Sequence, residues 1–115
     1  RDDYIDGRVK LSAPSLMPIE VLNAARYARK DMGVKKLEEI VESLTLYGIR
    51  LHELQGGYAK EAVNVALENE ITIYDASYVA LAKHLKTVMY SSDQRLITML
   101  KDDCKKYVRH LNDYE

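Results

Sequence analysis

One stretch constrains the fold of this chain most: Ile71-Thr-Ile-Tyr-Asp75-Ala-Ser-Tyr78-Val-Ala-Leu-Ala-Lys-His-Leu85, a short β-branched run that passes through one aspartate into an apolar helix. Val79, Ala80, Leu81, Ala82 and Leu85 place apolar side chains on nearly every face, so the spacing predicts a central helix covered on several sides. Asp75 sits at the joint. Its carboxylate suits a helix start, where it can accept a backbone N–H and meet the positive end of the helix dipole. A strand-to-helix joint also lies at the C-terminal edge of a parallel sheet, where α/β proteins place their ligand sites.

The remaining pattern alternates strands with helices. Arg8 to Ala13 alternates polar and apolar, predicting a strand at about 8 to 13, and Pro14 and Pro18 mark a turn and a helix start. Met17, Val21, Ala24, Ala25, Ala28 and Met32 predict an amphipathic helix from about 16 to 31. Leu37, Ile40, Val41, Leu44 and Tyr47 form a second helical stripe, closed by Gly48. Ile49 to Leu54 alternates as a second strand, and Gly56-Gly57, lacking any phosphate-loop context, predicts a turn. Ala59, Ala62, Val63 and Ala66 mark a third helix, with Asn69 able to cap its C-terminus. Thr87 to Ser91 predicts another strand, Leu96 to Cys104 a last helical face, and Tyr107 to Leu111 a closing strand. This order predicts an α/β fold, one parallel sheet with helices on both faces, in a single domain.

Composition removes several function classes. With 17 basic and 18 acidic residues, the net charge of −1 gives no general attraction to nucleic acid or to an anionic membrane. No apolar run reaches the roughly 18 residues of a membrane span, so no membrane partner is expected. The single cysteine, Cys104, excludes an internal disulfide framework and fits a reducing compartment such as the cytoplasm, as a thiol buried on an apolar face. His52, His84 and His110 show no ligand spacing and receive no role.

Three acids fall at equivalent joints: Glu20 in the first turn after the first strand, Asp75 after the Ile71 run, and Asp93 after the strand ending at Ser91. Each alone reads as a cap or dipole partner. Together, on one sheet edge, they would repel one another unless a divalent cation kept them ionised. Oxygen ligands without His or Cys favour Mg²⁺ or Mn²⁺ over zinc.

Pro14-Ser-Leu-Met-Pro18-Ile-Glu20-Val-Leu-Asn23-Ala, Tyr74-Asp75-Ala-Ser-Tyr78-Val-Ala-Leu-Ala82 and Met89-Tyr-Ser91-Ser-Asp93-Gln-Arg-Leu96, in this order and spacing, resemble the PIN domain of VapC-type toxins. The resemblance implies a PIN-like sheet and a Mg²⁺-dependent (or Mn²⁺-dependent) endoribonuclease that hydrolyses RNA phosphodiester bonds. It also implies a homodimer neutralised by a cognate antitoxin whose basic side chain enters the acidic site. Glu20, Asp75 and Asp93 fall on the family's metal-site acids. Ser91 falls where the family carries a Thr or Ser two residues before its last acid, and would orient a carboxylate or a water. Asn23 shares the helix face of Glu20. Arg26, Arg29 and Lys30, with Lys35 and Lys36, are candidate contacts to RNA phosphates. Tyr27 and Tyr78 are candidate base-stacking side chains, although their helical spacing fits core positions better.

The family's sheet opens with a strand that delivers a further aspartate, and nothing before Arg8 matches it. The expectation is therefore an N-terminally incomplete PIN-like domain over residues 1 to 115, inactive as it stands. A nuclease-inactive PIN-like module that binds RNA or a protein is the alternative. A phosphoacceptor receiver domain fits poorly, because Asp75 lacks an acidic pair and a downstream lysine at a strand end.

Overall fold

The computed structural model describes residues 11–31 and 33–113, and the chain divides into two compact units, Arg1–Glu53 and Leu54–Glu115. Each holds one parallel strand pair with its helices, giving an α/β architecture with two separate two-stranded parallel sheets.

In the first unit β1 (Ser12–Pro14) pairs with β2 (Arg50–His52), with Ser12 opposite Arg50 and Pro14 opposite His52. Pro14 closes the strand rather than forming the anticipated turn, as a residue without an N–H can at a strand end. The first half of the expected strand, residues 8 to 10, and the charged opening Arg1 to Asp6 lie outside the described residues, as does Met32. Between the strands run α1 (Met17–Ala28), with Pro18 in its first turn, and α2 (Val34–Leu46). Helix α1 stops three residues short of the predicted end, at Arg29. Gly48 follows α2 with φ +63°, a left-handed conformation that suits a glycine past a helix end. An apolar groove of about 380 Å³ is lined by Met17, Leu22, Val41, Leu44, Ile49 and Leu51, among others. Among the described residues of this unit only Ala13 and Pro14 are buried.

The second unit carries the core. Helix α3 (Gly56–Asn69) turns through Glu70, left-handed at φ 54°, into α4 (Ile73–His84). Gly56 and Gly57, expected as a free turn, are the first two residues of α3. The two helices pack along each other, burying Ala62, Val65 and Ala66 of one and Ala76, Val79, Ala80 and Leu81 of the other. Helix α4 is the central apolar helix anticipated from its sequence. The Ile71 run, however, forms no strand. Ile73 is already helical, Ile71 packs against the core, and the Thr72 Oγ accepts the Asp75 amide at 3.0 Å. A three-residue connection between packed helices leaves no length for a ladder, so packing and capping override β-propensity here.

Beyond α4, β3 (Met89–Ser91) pairs in parallel with β4 (Val108–His110), and Leu111–Asp113 forms a 3₁₀ turn. The last helical face is broken into α5 (Gln94–Met99) and α6 (Asp102–Lys105). Asn69 holds the break: it is buried, its Oδ1 accepts the Lys101 amide at 2.7 Å, and its Nδ2 donates to Val65 O at 2.8 Å. Asn69 thus supports another segment's backbone rather than capping α3. Cys104 is fully buried beside it.

Candidate functional site

The C-terminal end of β3 carries two of the side chains singled out from the sequence, Ser91 and Asp93. Ser91 ends β3, and its Oγ accepts the Asp93 amide at 3.0 Å. Asp93 is the N-cap of α5, with Oδ1 accepting the Leu96 amide at 3.1 Å, which leaves its second carboxylate oxygen for another partner. The cap reading of Asp93 is therefore correct and still compatible with a ligand.

Asp75 occupies the first turn of α4 but does not cap it, because Thr72 does. No hydrogen bond or ion pair joins its half-buried carboxylate to a described residue. Its level in the unit follows from topology. Helix α4 packs on β3 and is joined to it by only four residues, so the chain reverses between them. Climbing back along α4 from His84 to Asp75 covers about 13 Å, and β3 with the two residues after it, Met89 to Asp93, advances at most about 13 Å. The two acids thus share the end of the unit to which β3 points.

Glu20 stands half-buried in the first turn of α1, the helix that follows β1, as anticipated, and belongs to the first unit. Among the described residues, no three His, Cys, Asp or Glu side chains are gathered closely enough to hold a metal ion. The carboxylate oxygens of Glu20 in the first unit and of Asp75 and Asp93 in the second have the hard-donor chemistry Mg²⁺ prefers.

The basic candidates lie on exposed surface of the first unit. Arg26 stacks over the Tyr27 ring at 5.5 Å, Arg29 pairs with Asp31 at 3.5 Å, and Lys36 pairs with Glu39 at 3.8 Å. Tyr27 is 67% exposed, so it is a surface side chain and not the core residue its spacing suggested. Tyr78 is half-buried, edge-on to Tyr74 with ring centroids 6.3 Å apart.

Sequence reasoning passed over His110. It is the register partner of Ser91, and its Nδ1 accepts the Asn112 amide at 3.0 Å. Only the pairing of β3 with β4 reveals this neighbourhood; the Val108-Arg-His110 alternation gave the one hint that His110 shares a face with buried Val108. Among the described residues no helix is long and apolar enough to cross a membrane. Comparison with protein-family models, with curated proteins and with solved structures finds no match to this chain.

Proposed function

We propose that this chain is the PIN-like domain of a Mg²⁺-dependent endoribonuclease of toxin type, working in the cytoplasm and held in check by a cognate antitoxin. The observation that carries this reading is the Ser91-x-Asp93 turn at the end of a parallel strand, with Asp75 at the same end of the unit. That arrangement agrees with the sequence resemblance to VapC-type toxins.

Asp75 and the unengaged oxygen of Asp93 would hold the metal. Bound there, Mg²⁺ supplies positive charge beside a phosphodiester and a water of lowered pKa. The chain's own residues do the positioning. The Ser91 hydroxyl, already accepting the Asp93 amide, keeps its proton to donate and so orients the neighbouring carboxylate or a water. Arg26, Arg29 and Lys30 offer charge to RNA phosphates, and exposed Tyr27 offers a ring on which a base can stack. The partners this reading calls for are RNA, an antitoxin whose arginine pairs with the acids, and a second copy of the chain.

The test is Mg²⁺-dependent cleavage of single-stranded RNA by the full-length protein and by its Asp75→Asn and Asp93→Asn variants. Both variants should lose at least a hundredfold in rate, in the range expected when groups that stabilise developing charge are removed. Asparagine at 93 keeps an Oδ1 to accept the Leu96 amide, so the thermal midpoint should hold or rise. Normal cleavage by both variants would reduce these acids to helix-end residues.

A second reading is a nuclease-inactive PIN-like module that binds RNA or protein. RNA binding by the wild type without any Mg²⁺-dependent cleavage would select it.

A further inference from the structure

Ser91 and His110 are the last residues of two parallel strands and lie opposite each other in register. Residues paired this way project from the same face of a ladder. Burial identifies that face: Met89, Ser91, Val108 and His110 are buried or half-buried, whereas Tyr90 and Arg109, alternating with them, are exposed. The hydroxyl and the imidazole therefore stand side by side where the strands end, on the face that packs against the helices.

The imidazole's hydrogen bond sets its chemistry. Nδ1 accepts the Asn112 amide of the 3₁₀ turn, so in the neutral ring the proton sits on Nε2. Nε2 has no partner among the described residues. His110 is half-buried, and its Nε2 is not among the buried, unpartnered side-chain atoms of the described residues. His110 thus presents an N–H donor beside the Ser91 hydroxyl, whose oxygen accepts the Asp93 amide. The His110 Nε2–H is thus a donor for an anion that carries oxygen acceptors, held beside Ser91 and within the second unit.

We propose that His110 is a substrate-binding residue whose Nε2–H donates, beside Ser91, to a phosphate oxygen of an RNA strand crossing the C-terminal ends of β3 and β4. This inference rests on the nuclease reading and adds to it a residue that binds the phosphate without touching the metal.

Two substitutions separate this role from a structural one. Glutamine at 110 retains a donor at the reach of Nε2, whereas asparagine retains an acceptor near the position of Nδ1 that can hold the Asn112 amide but lacks the reach. Binding of a fluorescent single-stranded RNA is measured by anisotropy with Ca²⁺ replacing Mg²⁺, and KM and kcat are measured in Mg²⁺, for the full-length protein and its His110→Gln and His110→Asn variants, with thermal midpoints alongside. The expected result is that His110→Asn keeps its midpoint yet weakens RNA binding about tenfold or more, as loss of a bond to a charged group should. His110→Gln should bind within about threefold of wild type, and the asparagine defect should fall mainly on KM. If His110→Asn binds like wild type while His110→Gln loses both midpoint and affinity, the imidazole only pins the 3₁₀ turn. The inference then fails and the nuclease reading stands. A wild type that neither binds nor cleaves RNA sinks both.

Discussion

Three groups of the second unit hold their protons more tightly than they do in water, and each has its own cause. Burial raises the Cys104 thiol, against a weaker opposing bond from Asn69. Burial likewise raises the Tyr58 phenol, whose O–H donates to Ser77 O at 2.6 Å. The Lys83 ammonium is raised by its bond to Glu61, with the ions 3.2 Å apart. All three pKa values are higher folded than unfolded, so the native state keeps protons that the unfolded chain releases first. Their contribution to stability is complete below the unfolded values and is lost as pH rises through the folded ones. The thermal midpoint should therefore hold from about pH 7 to 8.5 and fall between about pH 9 and 11, the range of a thiol, a phenol and an ammonium. Cys104→Ala should delay the onset of that fall relative to its own midpoint at pH 7. A midpoint that rose or stayed level through pH 10 would contradict this assignment. At this scale the sequence was only partly legible. Buried Cys104 and the capping Asp93 follow from local pattern, whereas the partners of Asn69 and His110 arise from chain segments far apart and leave no mark on their neighbours in sequence.

Helix ends decide how the acids of the candidate site are presented. Thr72 and Asp75 reproduce the spacing of a capping box, a hydroxyl residue followed three positions later by an acid, and the hydroxyl makes the bond to the amide. The β-branched Ile71-Thr-Ile sequence masks that signal, because taken alone it favours a strand. Since Thr72 takes the capping position, the carboxylate of Asp75 is spared for other work. Thr72→Ala should lower stability by about 1 kcal/mol, the usual loss for a hydroxyl cap, while Thr72→Ser should restore most of it. Urea unfolding of the two variants is the measurement, and an unchanged Thr72→Ala would mean that Asp75 caps the helix after all. Helix and strand order was otherwise readable from periodicity. What periodicity could not supply was the break between α5 and α6, which depends on the distant Asn69, or the merging of Gly56-Gly57 into α3.

Burial over the whole molecule is uneven. The clustered core lies in the second unit, around Val65, Val79, Leu100 and Cys104, while α1 and α2 of the first unit contain no buried residue. Amphipathic patterning in α1 and α2 was plain in the sequence, but how deeply such stripes are covered is a tertiary quantity that no single stripe encodes. One feature of the second unit also fixes an order of events in time. Helices α3 and α4 are joined by only Glu70, Ile71 and Thr72, so their contacts close a short loop, whereas β1 must find β2 and β3 must find β4 across far more chain. Loop closure is costliest for the distant pairs, so the α3–α4 hairpin is the natural nucleus of folding. Stopped-flow tyrosine fluorescence of refolding and unfolding should then show that Val65→Ala and Val79→Ala mainly slow folding, while Val108→Ala mainly speeds unfolding. The reverse pattern would place the nucleus in the strands. If the hairpin does form first, Asp75 is fixed to a rigid helix before Ser91, Asp93 and His110 reach it, and the candidate site is the last part of the second unit to take shape.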